Sequence, residues 1–527
     1  AVKQYGTGKD IDVIVADDGA GWMGHPEFQN NCTGVTAPAG YTGGNVLPGN
    51  GTCDLLDLCL DAPYYIDPDY FNADAGTRLT TRFDGTTCPV ESFARGWWTN
   101  ASNRSVKYQS YGTVSSITSS YTRANCNGSS TSQPPGTVAR HATCCSALTF
   151  GRTQGWAYNA NKWVLNLYGS FGAGIENGFD LQKLFHLMKP VNTEYGNKNP
   201  TLSSNSWGYR AVKSPGGSEA SPLYHHFRGG AATSYTTETG INWLSHMGTQ
   251  GDLGRWKGEM KTNSLTTALD ELIDGGVIFV CASGNSNQKQ TNYGHADFDN
   301  YIAQNNTDTL EESTFQEFGI NVTGTTNRRG FPQQGGKHVL SDGTIDYKTI
   351  NIGALDDDYN GGKETKVGYS DRGNGIDCYT PADGTLAANS KYTSEGNYPS
   401  TYPGFTFNSG SGAGVAEDTG FSGTSAACPV AAGLISTVLE HNRDWTYKEV
   451  KEWINSLDNQ DTSDFYFGVE STTANDGNWT DYRSLEGSIP KVLYQGNIDA
   501  RSKKGQRPVL AKGMQIRNPN IRIKKNK

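Results

Sequence analysis

No apolar run in these 527 residues approaches the roughly 18 needed to cross a membrane, so a membrane-spanning helix is not expected. The stretch from Ala1 lacks the basic and apolar regions of a secretory signal, which suits a processed chain or one never exported alone. No Cys-X-X-Cys pair has zinc spacing, and structural zinc is not expected. Nor is there an internal repeat of solenoid length. Charge is sparse at 18% of residues, and its balance is uneven. The net charge is −9, yet Arg501 to Lys527 holds ten Lys and Arg and no acid, leaving −19 on residues 1–500. Such a tail could dock an acidic partner or assembly; a solvated tail is the blander expectation, and nucleic acid is not favoured.

What is present is length, glycine and cysteine. The chain is long enough for one large α/β domain with insertions, or for two or three smaller ones. Five of its ten cysteines (Cys32, Cys53, Cys59, Cys88 and Cys126) fall in the first quarter, among Gly, Asn and Thr. That clustering favours disulfides and an oxidising compartment. Asn-X-Ser/Thr sequons, at Asn31, Asn100 and Asn478 among others, weakly suggest secretion, since an Asn-rich chain produces some by chance.

Along the chain, apolar strands end in polar residues. Ile11 to Ala16 reads as a buried strand closed by Asp17-Asp18-Gly19. An acid at the carboxyl end of such a strand is where open α/β sheets place functional groups, although an Asp-Gly turn is the commoner explanation. Residues 30–135 read as an insertion containing Trp97-Trp98, followed by a small-residue helix opening at Arg140-His141. Strands are expected over Trp163–Tyr168, Thr201–Ser206, Val277–Ala282 and Thr349–Ala354, and helices over Phe179–Met188 and Leu265–Ile273. Two further insertions span about 209–254 and 286–338; His225, His226 and His246 in the first lack ligand spacing. Asp356-Asp357-Asp358 reads as an acidic turn that could bind Ca²⁺, with a solvated turn the favoured explanation. Thr446-Tyr447-Lys448-Glu449 is a capping box that opens a further helix.

The stretch Gly420 to Gly433 carries most of the chemistry. A Gly-Thr-Ser turn opens straight into an apolar run with no charge until Glu440, which predicts a buried helix beginning near Ser425. Pro429 is acceptable only near the start of that helix. Ser425 would then sit at the positive end of the helix dipole among free N–H groups, a setting that suits an oxyanion; a capping serine is the plainer alternative.

Taken jointly, Asp17, His141, Asn285 and Ser425 follow the order of the subtilisin arrangement. The chain resembles the subtilase family of serine peptidases, and its motifs are most similar to the kexin/furin branch. The resemblance rests on Val15-Ala16-Asp17-Asp18-Gly19, Arg140-His141-Ala142-Thr143-Cys144-Cys145, Gly155 to Ala160, Ser204 to Gly208, Ala282 to Asn285 and Gly423 to Gly433. It implies a subtilisin-like three-layer α/β fold, with a mostly parallel central sheet flanked by helices and large loop-rich insertions. Residues 1–460 would form the catalytic domain, and 461–527 an irregular extension with a basic tail. It further implies Ser425 as nucleophile, His141 as general base, Asp17 as its orienting acid and Asn285 as oxyanion donor. Ser206, Trp207, Gly208 and Asp18 would face substrate. No cofactor is needed for that chemistry; structural Ca²⁺ is open, and no metal ligand is assigned.

Several departures bear on specificity. Ala142 stands where the family has Gly, and Tyr209 to Val212 lacks the acids that kexins place after Ser-Trp-Gly, so a dibasic preference is not expected. The β-sandwich that follows a kexin core and an inhibitory propeptide are both expected to be absent. The leading expectation is a serine endopeptidase acting on peptides or proteins, secreted or carried on an extracellular particle such as a virion. The alternative is a structural or binding protein of a larger assembly, built on the same scaffold.

Overall fold

The computed structural model describes residues 6–17, 26–28, 55–58, 140–167, 175–208, 210–213, 223–226, 233–235, 256–259, 263–285, 290, 292, 301–303, 332–333, 335–339, 343, 345–359, 363–392, 416–455, 465–466 and 491–493. The five cysteines of the first quarter, Asp18, Trp97-Trp98, His246 and the basic tail lie outside them.

Side chains alternate between the two faces of a strand. In β1 (Asp12–Asp17), Val13 and Val15 enter one core with Val164, Leu202 and Val280, while Ile14 and Ala16 enter a second with Trp163, Leu165 and Phe279. A strand buried on both faces has no polar side, which is why its sequence reads as a continuous apolar run. Such a sheet needs helices on both faces. Helices α1 (Arg140–Phe150) and α4 (Thr424–Leu439) cover the first, and α2 (Glu176–Met188) and α3 (Asn263–Asp274) the second. Helix α5 (Tyr447–Asn455) adds Val450, Trp453 and Ile454 to the first core.

Among the described residues, the central sheet has nine strands. With β2 (Leu55–Asp57), β3 (Asn161–Asn166), β4 (Thr201–Asn205), β5 (Val277–Ala282), β6 (Ile350–Tyr359), β7 (Lys363–Lys366), β8 (Cys378–Pro381) and β9 (Phe465–Tyr466), its order is β2-β3-β1-β4-β5-β6-β7-β9, and β8 also pairs with β6. Every pairing is parallel except β6 with β7. This is the expected three-layer α/β architecture. Strand β1 lies between β3 and β4, so successive crossovers leave it on opposite sides, and the crevice at its carboxyl end is where such sheets bind ligands.

Two local features differ from the sequence expectation. Leu55–Asp57 lies within the 30–135 segment yet supplies an edge strand of the central sheet, paired with β3. Asp356-Asp357-Asp358 forms no turn: β6 continues to Tyr359, with Asp356 opposite Thr365 in the antiparallel ladder. Asp356 and Tyr359 hold the ladder to β7, and Asp357 and Asp358 fall in a register shift between them.

Polar anchors fix the ends of these elements. The Glu440 carboxylate, just past α4, accepts from three consecutive amides, Thr7 (2.5 Å), Gly8 (2.9 Å) and Lys9 (3.1 Å), and so holds the chain leading into β1. The buried Glu27 carboxylate accepts from the amides of Thr153 (2.8 Å) and Gln154 (3.2 Å) after α1. Thr446 and Glu449 form the expected capping box: the Thr446 amide and hydroxyl both donate to Glu449 Oε2, at 2.8 and 2.6 Å. Two buried lysines neutralise buried acids, Lys189 with Asp12 (2.6 Å) and Lys451 with both Asp346 (3.0 Å) and Asp377 (2.9 Å).

Candidate active site

Three of the predicted groups leave the sheet at its carboxyl edge: Asp17 ends β1, Ser206 follows β4, and Asn285 lies three residues past β5. His141 sits on the first turn of α1, and Ser425 is the second residue of α4. Asp17 is 1% exposed, and both its carboxylate oxygens accept from His141 Nδ1, at 2.8 and 2.9 Å. A carboxylate can only accept, so this contact keeps the proton on Nδ1 and presents the Nε2 lone pair on the far side of the ring. The Phe421 ring meets the imidazole edge-on with centroids 5.3 Å apart, limiting its tilt.

Ser425 is tied to the strand end beside it by a reciprocal pair of bonds. Its hydroxyl donates to the Ser206 carbonyl (3.2 Å), and the Ser206 hydroxyl donates to the Ser425 carbonyl (3.0 Å). Pro429 makes the second bond available. It lies a full turn inside α4, deeper than the sequence suggested, and it lacks the N–H that would bond the carbonyl four residues back. That carbonyl belongs to Ser425. Freed from the helix, it also accepts from the Cys145 thiol (3.5 Å), so β4, α1 and α4 meet at one oxygen.

Asn285 faces the start of α4. The Thr424 amide and hydroxyl both donate to Asn285 Oδ1 at 2.8 Å, which turns Nδ2 toward Gly423. Gly423 has φ +104, and a Cβ there would lie 3.2 Å from Asn285 Nδ2; both the conformation and the close approach require glycine. Gly284, with φ +121, faces the Asp371 carboxylate in the same way. Asp371 is held by Gln290 Nε2 (2.8 Å), which also donates to the Ser283 carbonyl (2.6 Å). The loop carrying Asn285 is thus braced from beneath.

Among the described residues, Asp17, His141 and Cys145 are the one set of three metal-ligating side chains whose donor atoms converge, within 4.8 Å. Their chemistry suits a metal poorly. His141 Nδ1 already bonds Asp17, and burial, reinforced by the Asp17 charge, pushes the Cys145 thiol well above the ordinary range. A thiol held protonated is a poor nucleophile. Besides donating to the Ser425 carbonyl, it lies 3.7 Å from His141 Nδ1. Cys144, Cys281, Cys378 and Cys428 are likewise buried thiols.

Of the other predicted residues, Trp207 is nearly buried: its indole N–H donates to Asn205 Oδ1 (3.2 Å) and its ring stacks on Phe179. Only the backbone of Ser206-Trp207-Gly208 could therefore meet a ligand, and Gly208 is exposed. Ala142 is fully buried in an intact first turn of α1, so its methyl is accommodated. His225 and His226 lie in a short sheet, paired with Thr233, Ile302 and Tyr301. Thr424, Phe421 and Tyr369 were not identified from the sequence. Only the position of Thr424 beside Ser425 could have signalled any of them.

Residues 8–469 match the profile of the subtilase family. Among solved structures, a cold-adapted subtilisin-like serine proteinase aligns with 93% of this chain and 90% of its own, at 12% identity and a TM-score of 0.38. Fervidolysin from Fervidobacterium pennivorans, a keratinolytic enzyme related to subtilisin, aligns with 92% of this chain and 44% of its own, at 14% identity and a TM-score of 0.34. No curated protein matches the chain.

Proposed function

The chain belongs to the subtilase family, and on that premise we propose that it is a serine endopeptidase with Ser425 as its nucleophile. The observation that carries this reading is the buried Asp17 carboxylate bonded to His141 Nδ1 at 2.8 Å, with Cys145 Sγ reaching both His141 Nδ1 (3.7 Å) and the Ser425 carbonyl (3.5 Å) on the first turn of α4. In the proposed reaction the Ser425 hydroxyl turns from the Ser206 carbonyl to His141 Nε2. Its oxygen attacks the scissile carbonyl while His141 takes the proton. The negative charge that builds on the carbonyl oxygen is met by Asn285 Nδ2 and the Ser425 amide at the N-terminus of α4. Asp17 stabilises the imidazolium, and His141 then returns the proton to the leaving amine. That step breaks the C–N bond and leaves Ser425 acylated; water then attacks the acyl-enzyme with His141 again as base, and the proton returns to Ser425 Oγ as the acid leaves. The backbone of Ser206 to Gly208 would add substrate as an extended strand.

The Asp17-Asp18 pair favours the kexin-like branch, but Tyr209 to Val212 offers no acid for basic side chains. Peptides without a dibasic preference are therefore the proposed substrates. The cysteine-rich first quarter and the sequons favour an extracellular setting, either free or on a particle. Structural Ca²⁺ remains a proposal independent of the chemistry. Hydrolysis of a denatured protein substrate tests the assignment. Turnover is expected, falling by at least about 10³-fold in His141→Ala and declining from about pH 8 to pH 5 as His141 takes a proton. A flat profile, or full activity in the variant, would overturn it.

A further inference from the structure

Gly423 caps α4, so its amide precedes the helix and must find its partner elsewhere. That partner is the Tyr369 hydroxyl, which accepts from Gly423 N–H at 2.7 Å and donates its own hydrogen to the Ala382 carbonyl at 3.4 Å. One lone pair and the single O–H are thus both engaged, and the oxygen has a fixed place. The next two residues reach the other parts of the site. The Ser370 hydroxyl accepts from the Ala354 amide of β6 (2.9 Å), and the Asp371 amide donates to the Gly284 carbonyl (3.0 Å), next to Asn285. Residues 369–371 therefore bracket the nucleophile turn, the sheet and the oxyanion loop with three consecutive contacts.

We propose that Tyr369 is a positioning residue for peptide hydrolysis: its hydroxyl holds the Gly423 amide and so fixes the turn on which Ser425 and Asn285 meet. This rests on the peptidase reading above. Gly423 links the two groups directly. Its carbonyl accepts from the Ala426 amide (2.8 Å) to shape the first turn around Ser425, and its missing side chain leaves the space Asn285 Nδ2 occupies. Without the hydroxyl, the Gly423 amide would have to turn toward water or another acceptor, and both groups would shift with it. Burial pushes the phenol up to about 12, so the hydroxyl keeps its hydrogen across the working range of a histidine base.

The test is Tyr369→Phe, which removes one oxygen and keeps the ring. Second-order labelling of Ser425 by a fluorophosphonate is compared between native protein and variant, with kcat and KM on a peptide and with thermal unfolding. Labelling and kcat are expected to fall roughly 10- to 100-fold, with KM within about twofold. Native labelling rates in Y369F overturn the proposal, whether or not its melting point falls. A loss confined to peptides and absent with the probe also overturns it, since that would mark a substrate contact. If native protein itself is not labelled, the Ser425 assignment fails first and the positioning role fails with it. Should Y369F not fold, hydrogen exchange at Gly423 in native protein decides: protection comparable to Ala426 supports the bond, and fast exchange refutes it.

Discussion

Gly423→Ala tests the geometry of the site at its tightest point. The new Cβ would sit 3.2 Å from Asn285 Nδ2, 3.5 Å from Oδ1 and 3.6 Å from the Ser425 amide nitrogen. These distances leave room for a methyl only if Asn285 yields by a few tenths of an ångström. The backbone adds a second cost, because φ +104 lies outside the regions an L-residue readily adopts, at roughly 1–3 kcal/mol. Keeping φ displaces the Asn285 amide; relaxing φ rotates the turn that carries Ser425. Either route would weaken the proposed oxyanion stabilisation, and complete loss of one such donor costs about 10²–10³ in rate. A fall of about 10- to 10³-fold in fluorophosphonate labelling and in kcat is therefore expected, with a lower melting temperature. Gly196→Ala provides the control, since Gly196 has φ +74 but nothing within 4 Å of its would-be Cβ. That variant should lose about 1–2 kcal/mol of stability and label at the native rate. Equal labelling of the two variants would refute the argument, because backbone strain alone would then account for Gly423.

Other outcomes follow from the buried charges. Lys189→Met leaves the Asp12 carboxylate, 0% exposed, without its ammonium, and a destabilisation of about 3–5 kcal/mol is expected in denaturant or thermal unfolding. The double variant with Asp12→Leu should recover much of that loss; a double variant as unstable as the single one would contradict the pairing. His186 is half-buried with Nδ1 2.7 Å from Thr201 Oγ1, and desolvation, followed by the charges of Lys189 and Lys198, pushes its pKa well down. The unfolded chain then binds a proton that the folded one refuses. Stability is fully present above the unfolded value near 6.5 and declines on acidification by up to about 1.4 kcal/mol per pH unit. His186→Gln should flatten that slope in unfolding measured from about pH 7 to pH 5, and an unchanged slope would place the titrating group elsewhere.

The features legible in the sequence were those set by local periodicity. Ile11 to Ala16 and Val277 to Ala282 announced buried strands because both faces are covered, and Leu265 to Ile273 announced a helix with one apolar stripe. Asp17, His141, Asn285 and Ser425 stood out because each occupies a punctuated position, a strand's end or a helix's first turn. Contacts between segments left no such trace. Glu440 grips amides more than 430 residues away, and Tyr369 reaches Gly423 through one hydroxyl that Phe would lack. The consequence of Pro429 was also hidden, since its missing N–H matters only once Ser206 and Cys145 are seen at the Ser425 carbonyl. Asp356 to Asp358 misled because the strand that runs through them is held by β7, which carries no strong strand signal of its own.

In the proposed reaction Ser425 is a nucleophile activated by His141 and Asp17. Reaction of the folded chain with a fluorophosphonate, beside Ser425→Ala, tests it most directly. Stoichiometric labelling of the native protein and none of the variant is expected. Folded native protein that stays unlabelled would contradict it, and would leave the site a scaffold without its reaction.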